Sequence, residues 1–295
     1  MINVPFTERN TMRTPKEMMK RILDFAQGDD RIRAVGEEGS RTNKNIPSDI
    51  YQDYDITFFV TDLGSFTKSD DWLSYFGCII MMQKPEDMEW FPPSMDGFSY
   101  IMYFDDYTKI DLTLYPLSYI PQYLKDDKLE RILLDKDGLI KNPPVPTDED
   151  YWIKPVTPRS FDDVCNEFWN TTPYVMKGLC RHEILFAIDH LRIVREQLLT
   201  MLSWKIGEAY GYTFSLGKNY KFIDKYLPKE DFEALLSTYR LDSYDHVWES
   251  LYNAHRLFRR VSMDLAEKKG YPYPPYDENV TKMVTYFYQN HYIKP

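Results

Sequence analysis

From Thr14 the chain reads TPKEMMKRILDFAQG, with Met18, Ile22, Leu23 and Ala26 at helical spacing. Thr14 is placed to cap this helix, Pro15 suits its first position and Glu17 closes a capping box. Gly28 and two aspartates end it. The period then changes. RIRAVGEEGS predicts a short strand running into a turn, and DYDITFFV a strand whose apolar residues run almost unbroken to its end. GCIIMMQKP, FSYIMYFD and KIDLTLYPL predict three more strands. Strands with helices between them predict a mixed α/β domain over residues 12–145. Five prolines within residues 143–158 mark a boundary, because proline suits neither helix interiors nor central strands.

Beyond it the helical period dominates. Ser160 with Asp163 predicts an N-cap, and Ile184, Leu185, Ile188, Leu191, Leu198, Leu199 and Leu202 line one face of a long amphipathic helix. PKEDFEALLSTY, SYDHVWESLYNAHRLFRRVSMDLAEKKG and YDENVTKMVTYFYQ predict further helices. The expected fold class is therefore α+β: a mixed-sheet domain over residues 1–150 and a helical domain over 151–295.

Composition narrows the function. Of 295 residues 43% are hydrophobic and 16% aromatic, enough for a sizeable core. No apolar run approaches the roughly 20 residues that span a bilayer, and the N-terminus lacks the apolar stretch of a signal peptide. A cytoplasmic protein with no membrane partner is expected. Cys78, Cys165 and Cys180 have no paired spacing and read as buried free thiols. The net charge of −10 weighs against a nucleic-acid partner, which needs a local Lys/Arg excess, and suits a cationic substrate.

The candidate chemistry is an ordered set: Gly39-Ser40, then Asp53 and Asp55, then Asp111. Two acids two residues apart on a strand share a face. Their repulsion, roughly 4 kcal/mol at about 4 Å and an effective dielectric of about 20, calls for a cation. Carboxylates are hard ligands suited to Mg²⁺, and Gly39 would let backbone amides approach a phosphate while Ser40 adds a hydroxyl. Asp111, flanked by Ile110 and Leu112, is placed to join the pair from a neighbouring strand. Three carboxylates about a divalent cation suit an in-line phosphoryl-type transfer.

This set resembles the nucleotidyltransferase superfamily. The stretches DYDITFFV, IIMMQKPEDME, FDDYTKIDLTL, CNEFWNTTPYVMKGLCR and GKNYKFI extend the likeness to the aminoglycoside 6-adenylyltransferases, over about Met12 to Phe287. The resemblance implies a polymerase-beta-like nucleotidyltransferase domain, and AMP transfer from ATP to the 6-hydroxyl of the streptidine ring of streptomycin, with Mg²⁺. It makes Asp53, Asp55 and Asp111 the metal-site and catalytic carboxylates, and Gly39, Ser40 and Arg41 nucleotide contacts. It also favours a lysine of the helical domain on the triphosphate, with Lys205 and Lys218 as candidates and Lys221 beside them. For the drug, Glu183 and Asp189 suit guanidinium groups. Trp90 and Glu86, with Asp87 and Glu89, sit in a Pro-rich loop able to wall a cationic pocket. His182 and His190 are too widely spaced for a zinc site. Two rival readings stand beside this one: a nucleotidyltransferase with another small-molecule, protein or nucleic-acid acceptor, and a non-catalytic aminoglycoside-binding module.

Overall fold

The computed structural model describes residues 12–90 and 96–294. The chain divides into two compact units after Asp150. In the first, six strands form one sheet in the order β3-β4-β5-β2-β1-β6. They are β1 (Ile32–Glu38), β2 (Tyr54–Val60), β3 (Ile79–Gln83), β4 (Phe98–Phe104), β5 (Lys109–Pro116) and β6 (Glu130–Asp135). Only the central pair β2–β5 is parallel; the other neighbours are antiparallel.

Strand alternation gives the sheet two unlike faces. Tyr54, Ile56, Phe58 and Val60 of β2 join Ile110, Leu112 and Leu114 of β5 in one core. Helix α1 (Pro15–Gly28) covers that face with Met18, Ile22 and Ala26, one turn apart, and burial of Met18 and Ile22 stabilises by about 1.5–3 kcal/mol each. Its Thr14–Glu17 capping box forms as expected. On the opposite face, α3 (Ile120–Asp126) closes a smaller core in which Ile120 and Tyr123 meet Ala34, Phe59 and Tyr115. Asp55 and Asp111 are offset by one residue from the apolar set, so they belong to this second face. A short helix, α2 (Gly64–Thr67), buries Phe66 under α1's face.

Three elements of this unit, α2, α3 and β6, were not expected from the pattern. Nor do strands and helices alternate: β3, β4 and β5 form an antiparallel meander. Cys78 is exposed rather than buried, while Cys165 is buried and all three cysteines are free.

The second unit is built from α4 (Pro158–Cys180), α5 (Ile184–Tyr210), α6 (Lys229–Leu236), α7 (Tyr244–Lys269) and α8 (Tyr276–Asn290). The first of these is capped by Thr157, with Pro158 at its first position and Ser160 closing the box, so the Ser160–Asp163 expectation falls three residues late. Leu191, Leu198 and Leu202 of α5 reach the core, but Leu185 points outward at 79% exposure, because Ile184, Ala187 and Ile188 hold the packed face of that first turn. The core centres on Phe168 stacked on Phe258 with ring centroids 3.7 Å apart. His255, fully buried, shares a 3.1 Å hydrogen bond with Thr172, and burial followed by the nearby Arg259 charge depresses its pKa to about 3. No described helix is long and apolar enough to cross a membrane.

Candidate active site

The parallel β2–β5 register sets Asp55 directly opposite Asp111. The register continues outward: Asp55 faces Glu38 on β1, and Glu38 faces Glu130 on β6. Four carboxylates thus form a row across four adjacent strands, and Asp53 stands one residue before β2. Crowding and burial show in their acidities. Burial, then the charges of Asp111 and Asp53, push Asp55 from 3.8 up to about 6, against the pull of Lys109. Burial is also the main cause of raising Glu38 to about 7; the neighbouring Tyr123 and Thr57 hydroxyls oppose it, and Asp55 adds to it. Burial and then Glu38 raise Glu130 to about 8.

Glu130 yields a pH prediction. Its pKa rises from 4.5 to about 8 on folding. Its stabilising contribution is therefore complete below pH 4.5 and is lost as pH rises through about 8, by on the order of 1.4 kcal/mol per pH unit crossed. Glu130→Gln is expected to raise the melting temperature more at pH 9 than at pH 6. Parallel thermal melts of the two proteins across that range check it; an equal gap at both pH values would remove Glu130 as the cause.

Gly39 opens the 3₁₀ turn Gly39–Arg41 that follows β1, with φ +73°. A β-carbon there would lie 2.4 Å from Asp55 Oδ2, so the turn can pass the carboxylate only as glycine. The amide of Gly39 does not face outward. It donates to Leu129 O at 3.0 Å, which also accepts from Thr42 Oγ1 at 3.0 Å. Gly39 thus brings the turn close to Asp55, with its own N–H engaged by Leu129. Ser40 follows, its carbonyl held by Gln52 Nε2 at 3.0 Å. Arg41 is turned to the loop: its guanidinium donates to the carbonyls of Asp53 (2.8 Å) and Gln52 (2.7 Å) and lies 3.7 Å over the Tyr54 ring. This arginine locks the segment that carries Asp53.

The residue missed by the sequence reading is Lys109. Its ammonium lies 2.8 Å from Asp53 Oδ2 and 2.8 Å from Asp111 Oδ2. Burial opposes its charge, but the hydrogen bonds to Asp111 and Asp53 prevail and hold its pKa above the ordinary lysine range. Asp111 Oδ1 is buried without a hydrogen-bond partner. As the side chains stand, no group of three His, Cys, Asp or Glu among the described residues is arranged to hold a metal. Lys109 ties up one oxygen of each of two of these carboxylates. The donor set itself suits a hard divalent cation, with an unpartnered carboxylate oxygen and acids crowded enough to raise Asp55.

The other sequence candidates have different surroundings. Glu86 is not on an acidic rim: its Oε2 accepts from Ser99 N at 2.7 Å and its Oε1 is buried, because it caps the start of β4. Trp90 is 82% exposed, and the prolines that follow it lie outside the described residues, as does the N-terminal extension before Met12. Lys205, Lys218, Glu183 and Asp189 belong to the helical unit. Lys205 pairs with the fully buried Asp231 at 2.6 Å, and Arg260 pairs with the other oxygen of that carboxylate at 2.6 Å. Lys218 is exposed on a turn where Gly217, Asn219 and Tyr220 all have positive φ. Glu183 is exposed just before α5, and Asp189 lies 3.6 Å from Arg192 on its surface. Concave surfaces of about 600 and 790 Å³ run along α7 and α8, lined in part by Arg256 and Tyr288. Neither includes any residue of the carboxylate row, so the chemistry and not the cavity size locates the candidate site.

The chain is similar to known proteins over nearly its whole length. A family described as streptomycin adenylyltransferase matches residues 12–287. The chain is 58% identical to an aminoglycoside 6-adenylyltransferase of Campylobacter jejuni over 92% of its own length and 95% of that protein's. It is 54% identical to one of Bacillus subtilis (strain 168), over 92% and 96% of the two chains. With one of Staphylococcus aureus the identity is 46%, over 95% and 100%.

Proposed function

Because the chain belongs to the streptomycin adenylyltransferase family, we propose that it transfers AMP from ATP to the 6-hydroxyl of the streptidine ring of streptomycin, releasing pyrophosphate. The observation that carries the reading is the in-register pair Asp55–Asp111, with Asp53 at the head of the same strand and Gly39 pressed against Asp55. Such a constellation is built to gather positive charge beside a phosphate, which is what nucleotidyl transfer requires.

Asp53, Asp55 and Asp111 would hold Mg²⁺, which when bound would neutralise the triphosphate and acidify the acceptor hydroxyl. The protein's own part is placement. Arg41 fixes the backbone before β2, the sheet register fixes Asp55 against Asp111, and Ser40 offers a hydroxyl to the triphosphate. Asp111 is the residue assigned to take the proton from the attacking hydroxyl. Lys218, on its strained turn, supports the reading of a second phosphate contact, since strained backbone gathers at functional sites. Lys205 fits that role less well while Asp231 holds it. Glu183 and Asp189 are exposed carboxylates open to the drug's guanidinium groups.

The acceptor is tested by comparison. Streptomycin is expected to support pyrophosphate release, and kanamycin, which has no streptidine ring, is expected to support none. A coupled pyrophosphate assay reads both; equal turnover would contradict the streptidine assignment and favour a broader acceptor.

A further inference from the structure

We propose that Lys109 is a placeholder cation: a positioning residue whose ammonium holds Asp53 and Asp111 together until a divalent cation displaces it. The inference rests on the reading that a divalent cation binds this carboxylate set.

The geometry leads there in three steps. Lys109 and Asp111 are two residues apart on β5, so both face the side of the sheet that carries Asp55. The ammonium meets Asp53 and Asp111 at equal distances of 2.8 Å and shares its charge between them. Its side chain is only 15% exposed, and the Tyr103 ring lies 5.5 Å from the ammonium, so the charge is held in place.

A divalent cation that takes oxygens from both Asp53 and Asp111 meets Lys109 as a competitor. The ammonium leaves by rotation of its flexible four-carbon stem. Two consequences follow. Free divalent cation binds less tightly than the carboxylates alone would allow. The cation-free protein depends on Lys109 to offset the crowding of three acids.

Both are measurable without turnover. Mn²⁺ binding, read by the paramagnetic signal of the free ion in the absence of nucleotide, is compared for wild type, Lys109→Met, Lys109→Arg and Asp55→Asn, with melting temperatures in chelator and in Mn²⁺. Lys109→Met is expected to bind Mn²⁺ at least about tenfold more tightly, ~1.4 kcal/mol, and to melt lower than wild type in chelator, with Mn²⁺ restoring the loss. A Lys109→Met protein that folds only with Mn²⁺ supports the proposal equally. Lys109→Arg keeps the charge and is expected to stay close to wild type in both readouts. Unchanged or weaker Mn²⁺ binding in Lys109→Met overturns the placeholder role. If Asp55→Asn still loses Mn²⁺ in that case, the cation site stands and only the role of Lys109 falls. If Asp55→Asn binds Mn²⁺ as wild type does, both readings fall.

Discussion

Asp55→Asn is expected to lower turnover by at least about 10³-fold and, at pH 8, to raise the melting temperature. The two effects share a cause. Asp55 stands beside Asp111 in register, with Asp53 two residues before it, and its pKa is raised from 3.8 to about 6. A raised carboxylate contributes stability that is full below pH 3.8 and lost as pH climbs through about 6. At pH 8 the wild type therefore carries the whole penalty of the ionised form, on the order of 2–3 kcal/mol. Asparagine has nearly the same shape and none of the charge, so that penalty disappears while the hard anionic ligand is lost. Near pH 4 the stability gain should vanish. Thermal melts at pH 4 and 8, paired with rates at saturating ATP and Mg²⁺, check both halves. A variant that is inactive and also less stable at pH 8 would show that Asp55 holds the fold together rather than storing repulsion for a cation.

Asp111→Asn should separate binding from chemistry. Asp111 faces Asp55 across the central parallel pair, gives one oxygen to Lys109 and keeps the other buried and unpartnered. That position suits both a cation ligand and the base for the attacking hydroxyl. Loss of a positioned base costs roughly 10²–10⁴-fold in rate, and loss of a ligand as well should cost more. ATP affinity in the presence of Mg²⁺ is expected to stay within about tenfold, ~1.4 kcal/mol, because Asp53 and Asp55 remain. The turnover number is expected to fall by at least about 10³-fold. Nucleotide titration and kcat on this one variant decide the matter. A kcat close to wild type would leave Asp111 as neither base nor ligand, and would move attention to Glu38, the next carboxylate in the row.

The sequence makes the central strands legible because their pattern is strict. In DYDITFFV the acids and the apolar residues fall on opposite faces by simple alternation, and β2 places them so. The same rule applied to KIDLTL puts Lys109 beside Asp111 on one face of β5. Glu38 and Glu130 were beyond reach for another reason. Their pairing depends on β6 returning to β1 across most of the unit, where neighbouring partners Glu37 and Arg131 are 94 residues apart. LERILLDKDG, a short edge strand rich in charge, carries little strand signal of its own. The cap of α4 was legible but misplaced: TPRS repeats the Thr-Pro signal already used at Thr14. The helical unit was readable in outline from its period, whereas Leu185 stands one position off the packed face set by Ile184, Ile188 and Leu191.

Whether this carboxylate set moves AMP onto streptidine is read from the covalent structure of the drug after incubation with the protein, ATP and Mg²⁺. Streptomycin is expected to emerge heavier by one AMP unit, with phosphorus-to-carbon coupling that places the new ester at the 6-position of the streptidine ring, and no such product is expected from Asp55→Asn. Streptomycin recovered unchanged from a protein that binds it, or AMP found at another hydroxyl, would contradict that transfer.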